Sequence, residues 1–95
     1  MAAYLMGQIE EVTDAAGFGQ YREQVGPLIA QYGGRFLAVG EAGENEGRWG
    51  PETYVLIEFP SLERAREWYG CAEYRPLKEL RQRSARVNLV LVEGT

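Results

Sequence analysis

The chain has 95 residues, of which 45% are apolar and 12% aromatic, and its formal net charge is −4. A chain of this length holds one hydrophobic core, so residues 1–95 are predicted to form a single domain. The apolar content excludes a disordered chain. The net negative charge, with no basic cluster to offset it, repels a phosphate backbone and argues against nucleic acid as a partner.

The N-terminus and the cysteine content indicate where the protein resides. The first residues lack the basic region of a signal peptide and turn polar at Gln8. No apolar run approaches the ~20 residues that a membrane span needs. Cys71 is the single cysteine, so no intrachain disulfide can form. We therefore expect a cytoplasmic protein without a membrane partner.

The first half of the chain predicts two strands and a helix. A strand over about 4–10 is followed by a helix from about 14 to 32, in which apolar residues recur at three- and four-residue steps. Pro27 removes one helical hydrogen bond and predicts a kink or a local opening. Gly33-Gly34 predicts the C-terminal cap, and a strand over 35–40 follows. The connection from 41 to 52 is rich in glycine and acids, and it is long for a hairpin.

The second half is organised around the third predicted strand, at about 53–59. Its apolar residues enclose Glu58, a pattern typical of a central strand covered on both faces. Ser61 is the expected N-cap of the next helix. The helical pattern pauses near Gly70-Cys71, resumes toward Leu80, and gives way to a last strand over 85–93.

This order of elements predicts an α+β fold of the ferredoxin-like βαββαβ type. Such a fold has a four-stranded antiparallel sheet with the helices on one face. Strands two, three and four nevertheless carry apolar residues on both faces, because neighbouring positions are apolar, as in Phe36-Leu37 and Leu89-Val90. An uncovered apolar sheet face is larger than monomers tolerate. We therefore predict a homodimer that packs through the open sheet face.

Glu58 is the candidate catalytic residue, because a carboxylate in an apolar strand is costly unless it is paired. It would act as a general base or as a substrate anchor with a raised pKa. The alternative is an ion-paired carboxylate at the strand end, with Arg35 or Arg81 as its partner.

Aromatic residues predict a ligand pocket between the helices and the sheet, where rings with a few polar tips suit small organic molecules. Arg35 is added to the candidates because it can bind a carboxylate through two hydrogen bonds. For Trp68 and Tyr69 the alternative is core packing, and for Arg35 it is a structural salt bridge. The candidate ligand-binding residues are Tyr21, Arg35, Trp49, Trp68, Tyr69 and Tyr74.

The absence of histidine limits the possible catalytic and metal sites more than any residue that is present. It excludes a Cys–His nucleophile at Cys71, serine triads and histidine-ligated haem or iron. The acids between 41 and 52 lack the spacing of a calcium loop, so no metal site is expected. The glycines form neither a P-loop nor a dinucleotide fingerprint, and no bound cofactor is required.

Five stretches of the sequence, taken in order, resemble one family, the domain-of-unknown-function 1330 family. The ordered set spans essentially the whole chain. The resemblance implies a dimeric α/β-barrel fold and a family with no established activity. The stretches are Tyr32-Gly33-Gly34-Arg35-Phe36-Leu37, Glu46-Gly47-Arg48-Trp49, Val55-Leu56-Ile57-Glu58-Phe59-Pro60-Ser61, Ala65-Arg66-Glu67-Trp68-Tyr69 and Glu73-Tyr74.

Three functions remain open at this point. The first is a small dimer that binds a small organic molecule in an aromatic pocket without turnover. The second is a cofactor-free monooxygenase, isomerase or lyase of the kind seen in similar dimeric α/β barrels, with Glu58 as base and Arg35 and a tyrosine hydroxyl as oxyanion stabilisers. The third is a structural or interaction dimer. A Glu58 that faces a cavity without a cationic partner would favour the enzyme.

Overall fold

A computed structural model describes residues 1–95 and shows seven elements around one sheet. The strands are β1 (Ala3–Val12), β2 (Arg35–Glu41), β3 (Thr53–Phe59) and β4 (Ala85–Glu93). The helices are α1 (Ala15–Gln31), α2 (Leu62–Gly70) and α3 (Tyr74–Ser84). This order confirms the ferredoxin-like pattern. None of the three helices combines the length and the apolar character that a membrane span requires.

The four strands form one antiparallel sheet in the order β2-β3-β1-β4. Strand β3 therefore lies between two neighbours, which confirms the central position predicted from its apolar run. Side chains alternate between the two faces of a strand. In β3, Ile57 and Phe59 are buried against the helices, whereas Leu56 and Glu58 point to the other face.

Helix α1 is capped at both ends, and its C-terminal cap is the predicted Gly33-Gly34 pair. The Asp14 side chain accepts a hydrogen bond from the backbone N–H of Gly17. At the other end, Gly33 adopts a φ of 80°, and the N–H groups of Gly33 and Gly34 donate to carbonyls in the last turn. This is a Schellman cap, which favours glycine. Pro27 lies inside the helix, which continues past it to Gln31.

The second helical region is divided in two. The Ser61 hydroxyl accepts from the N–H of Arg64 and starts α2, as predicted. The chain turns over 71–73, so α3 is a separate helix with Pro76 in its first turn, where a missing N–H costs little. Tyr69, next to the last residue of α2, is 40% exposed and does not share the burial of Trp68.

The core lies between the helices and one face of the sheet, and its centre is aromatic. Trp68 and Tyr74 are almost completely buried, with ring centroids 4.3 Å apart, and Phe59 packs 5.5 Å from Trp68. Full burial of rings of this size is the largest apolar contribution to the fold. Their packing fixes α2 and α3 against β3.

The opposite face of the sheet carries no helix. Met6 on β1 lies between Leu56 of β3 and Val90 of β4, and the side chains of Met6 and Val90 are 42% and 51% exposed. Val92 on the same face is 45% exposed. We call this surface the open face; its apolar character follows from the two-sided strands noted in the sequence.

Candidate functional site

A cavity of about 630 Å³ lies between α1 and the sheet. Its volume falls in the range of pockets that hold small organic ligands. Four helix residues with polar side-chain atoms line it, the exposed Arg22 and the more buried Tyr21, Trp68 and Arg81. The rest of the wall is mostly apolar and includes Leu5, Ile9, Phe18, Val25, Val55 and Val87. We call this space the helix–sheet cavity.

Arg81 on α3 is a buried charge. Its side chain is only 5% exposed, and its Nε has no hydrogen-bond partner. None of the four ion pairs in the protein includes Arg81. Arginine is rarely buried this deeply without a carboxylate. Arg81 is therefore a cation that the protein places beside the cavity without supplying a carboxylate for it.

Trp68 brings a second buried donor to the same cavity. It is 2% exposed, and its Nε1–H, which can only donate, has no acceptor. Buried polar atoms are nearly always hydrogen-bonded, so an unpartnered one calls for a reason. Trp68 and Arg81 both line the helix–sheet cavity, so two residues with such atoms contribute to one wall.

Tyr21 and Tyr74 complete the polar part of the site. Their hydroxyl oxygens are 2.9 Å apart and share a hydrogen bond. Burial raises the pKa of Tyr21 well above its usual range, and the neighbouring Tyr74 hydroxyl adds to the shift, whereas Arg81 opposes it. Tyr21 is therefore a neutral phenol at pH 7 and acts as a hydrogen-bonding group, not as an anion that would balance Arg81.

The raised pKa of Tyr21 predicts a loss of stability at high pH. Above the unfolded value of 10.0 the unfolded chain releases the Tyr21 proton while the folded chain retains it, so the stability present below pH 10 falls as pH rises. The slope is about 1.4 kcal/mol per pH unit for one group. We expect Tyr21→Phe to have a shallower fall in urea unfolding free energy above pH 10 than the unsubstituted protein. Equal slopes would contradict this assignment.

Four of the predicted site residues come together. Tyr21 and Trp68 line the helix–sheet cavity, and Tyr74 contacts both, with ring centroids 6.4 and 4.3 Å away. Tyr69 lies at the edge of this cluster, 5.6 Å from Tyr74, with the Lys78 ammonium 4.5 Å from its ring centroid. Trp68 and Tyr74 also serve as core, the alternative noted for Trp68, whereas Tyr69 stays 40% exposed.

The other predicted site residues lie outside the cavity. Glu58 and Arg35 form an ion pair of 2.8 Å at the β2–β3 pairing, away from the helices. Neither residue lines the helix–sheet cavity. Trp49 packs edge-on against Tyr54, 5.7 Å away, beside a groove of about 680 Å³ on the open face. The predicted set is thus divided between the two sides of the sheet.

Arg81 is the functional candidate that the sequence analysis missed as a pocket residue. From the sequence, Arg81 was predicted only as a possible partner of Glu58, yet that carboxylate pairs with Arg35. The available signal was spacing: Tyr74, Leu77, Arg81 and Ser84 recur at three- and four-residue steps and form the buried stripe of α3. A charged residue on a buried stripe indicates a functional or paired group.

Metal ligands do not gather anywhere in the structure. No three His, Cys, Asp or Glu side chains are placed to hold a metal ion together. The chemical groups of the site are therefore a guanidinium, an indole N–H and two phenols, all of which bind oxygen atoms of a ligand.

Comparison with known proteins places the chain in a family. The model of DUF1330, a domain of unknown function, matches residues 2–95. The chain belongs to the DUF1330 family. This confirms the resemblance noted in the sequence. No curated protein matches the sequence.

Solved structures similar to this DUF1330 domain share its fold at low sequence identity. A protein of unknown function from Rhodopseudomonas palustris is 16% identical with a TM-score of 0.78, covering 99% of this chain and 82% of its own. SnoaB, a cofactor-independent oxygenase from Streptomyces nogalater, is 13% identical with a TM-score of 0.69, covering 99% and 93%. A dimeric protein of unknown function and ferredoxin-like fold from Bacteroides fragilis is 10% identical with a TM-score of 0.61, covering 98% and 96%. Identities this low establish the fold alone.

Proposed function

We propose that this DUF1330 protein is a cytoplasmic homodimer that binds a small organic molecule in the helix–sheet cavity. The observation that carries the proposal is the cavity itself, about 630 Å³ with mostly apolar walls and with Tyr21, Trp68 and Arg81 among its lining residues. Apolar walls with a few placed polar groups are typical of small-molecule sites. Of the three functions left open by the sequence, ligand binding accounts for these features most directly.

The homodimer part of the proposal rests on the open face. Met6, Val90 and Val92 are each more than 40% exposed there, and nothing in the chain covers them. A two-fold dimer buries the same patch on both copies, so one self-complementary apolar face suffices. The open-face groove beside Trp49 would then lie between the two sheets. The Bacteroides fragilis protein of the same fold is dimeric, which is consistent with this arrangement.

Gly19 offers a direct test of the cavity. It lines the cavity from α1, and a Cβ added there would meet no atom within 4 Å. Gly19→Phe should fill the space, whereas Gly19→Ala adds helix propensity and leaves the space open. By native mass spectrometry of freshly purified protein, we expect a co-purified small molecule with the unsubstituted protein and Gly19→Ala. With Gly19→Phe we expect its loss. Retention by Gly19→Phe would place the ligand elsewhere.

The alternative is a cofactor-free enzyme, and its support is the fold shared with SnoaB. In that hypothesis Glu58 is the base. Its carboxylate is paired with Arg35 and lies outside the helix–sheet cavity, which favours the ion-paired alternative for this residue. Turnover at the cavity would have to rely on Tyr21, Tyr74 or Arg81.

Glu58→Gln separates these two accounts. The ion pair is partly exposed, with side-chain exposures of 71% for Arg35 and 23% for Glu58, so its loss should cost no more than about 1 kcal/mol of unfolding free energy. We expect the ligand co-purified with Glu58→Gln to be unchanged in mass and occupancy. A variant that accumulates a different bound mass, as an unconverted substrate, would favour the enzyme.

A further inference from the structure

We propose that Arg81 binds the negatively charged oxygen of a small organic monoanion, a carboxylate or an enolate, whose apolar body fills the helix–sheet cavity. This inference rests on the proposed function, which makes the cavity a ligand site, and it adds the chemical class of the ligand and the residue that selects it.

The positive charge of Arg81 is not balanced by a carboxylate of the protein. A guanidinium that is 5% exposed has lost most of its hydration, at a cost of several kcal/mol unless an anion compensates. The protein supplies no carboxylate, because every ion pair it forms involves another arginine. The neighbouring groups, Tyr21 and Tyr74, are phenols. The compensating charge is therefore expected from the ligand.

The residues around the cavity also offer hydrogen-bond donors. Arg81 and Trp68 both line the cavity, and each carries a buried N–H, Nε of Arg81 and Nε1 of Trp68, that has no acceptor. A guanidinium matches the two oxygens of a carboxylate, and an indole N–H adds one further donor. Tyr21 also lines the cavity, and its hydroxyl can donate to a ligand when the Tyr74 hydroxyl donates to it. A ligand oxygen would satisfy groups that the fold leaves unmatched.

The charges around the cavity determine which ligands it excludes. Arg81 is the only charged side chain that is buried in the wall, since Arg22, which also lines the cavity, is exposed. One buried cation fits a monoanion better than a doubly charged phosphate. The protein as a whole carries a net charge of −4, which repels anions at long range. Selection of an anion must therefore come from contact with Arg81, while the apolar walls select a hydrocarbon or aromatic body.

A matched pair of probes tests the proposal: 2-naphthoate and its neutral analogue 2-naphthamide. The two tryptophans provide the readout, because Trp68 lines the cavity and Trp49 lies at the open face. In ¹⁵N-labelled protein each gives one indole N–H signal by NMR. We expect both probes to shift the Trp68 signal and leave the Trp49 signal in place. Naphthoate should half-saturate at a concentration at least about tenfold lower, the effect of a hydrogen bond to a charged group.

Substitutions of arginine then assign the preference to one residue. Arg81→Met should bind both probes alike, Arg81→Lys should retain part of the preference, and Arg83→Met, an exposed arginine of the same helix, should behave like the unsubstituted protein. Equal binding of the two probes, or a preference that survives Arg81→Met, overturns the inference but leaves the cavity as a ligand site. If neither probe moves the Trp68 signal, or Trp49 moves instead, the proposed function fails and the inference fails with it.

Discussion

Met6→Asp is expected to convert the proposed dimer into a monomer. Met6 lies on the central strand β1, with Leu56 and Val90 as its cross-strand neighbours on the open face. In a sheet-to-sheet dimer an aspartate there would lose its hydration without gaining a partner, at a cost of several kcal/mol per carboxylate. Each dimer holds two copies of it, so the dissociation constant should rise by more than about a thousandfold. Analytical ultracentrifugation measures this directly.

Val12→Asp is the matched control for the dimer prediction. Val12 lies on the same strand and is 43% exposed, close to the 42% of Met6, but it belongs to the wall of the helix–sheet cavity. The same charge at the same exposure should therefore leave the dimer intact. Circular dichroism shows whether each variant keeps its fold. A folded Met6→Asp protein that sediments as a dimer would contradict association through the open face.

Arg81→Met is expected to stabilise the ligand-free protein while it weakens anion binding. The substitution removes a buried charge that has no carboxylate partner and replaces it with an apolar side chain of similar length. Replacing buried charged groups by apolar ones is often stabilising, by about 1–4 kcal/mol. At 95 residues each 1 kcal/mol shifts Tm by about 4–8 °C. A residue whose replacement increases stability but weakens ligand binding is one that the protein retains for its binding site.

Urea unfolding at a fixed protein concentration tests the stability prediction, because a dimer's stability depends on concentration. The midpoint should rise with an unchanged slope if only the stability changes. Arg83→Met, at an exposed position on the same helix, should stay within about 0.5 kcal/mol. A destabilised Arg81→Met would mean that protein atoms satisfy the guanidinium in solution, which would remove the main argument for an anion at this position.

The fold was predictable because local signals and the global pattern agree. Asp14, Ser61 and the Gly33-Gly34 pair each cap the helix that the apolar periodicity indicates. The two-sided apolar run of β3 required a central strand, and the sheet order provides it. Consistency between local and global preferences is what makes a sequence specify one structure.

The candidate site was only partly predictable, and strand alternation explains why. When both faces of a strand are apolar, the sequence does not reveal which set of alternate residues faces the helices. Glu58 and Arg35 could therefore not be assigned to a side, and both lie away from the helix–sheet cavity. The β2–β3 register also shifts between Phe36 and Ala38, which alternation alone cannot reveal. Trp68 and Tyr74 escaped this ambiguity, because helical spacing identifies the buried stripe directly, whereas Tyr69 near the end of α2 did not follow it.

Arg81 shows a different limit of the sequence. Its burial depends on the packing of α3 against α1 and the sheet, and its lack of a carboxylate depends on Glu58 pairing with Arg35 instead. Neither fact is local in sequence. Only the three-dimensional arrangement brings Arg81, Trp68 and Tyr21 to one cavity, with Tyr74 hydrogen-bonded to Tyr21.

The central claim, that the helix–sheet cavity binds a small organic anion, is tested most directly by a crystal structure of the protein with 2-naphthoate. The account predicts the naphthalene ring between α1 and the sheet, with the carboxylate on the Arg81 guanidinium and within reach of Trp68 Nε1. A naphthoate bound instead in the open-face groove beside Trp49 and Tyr54, with Arg81 bonded to protein acceptors, would contradict it.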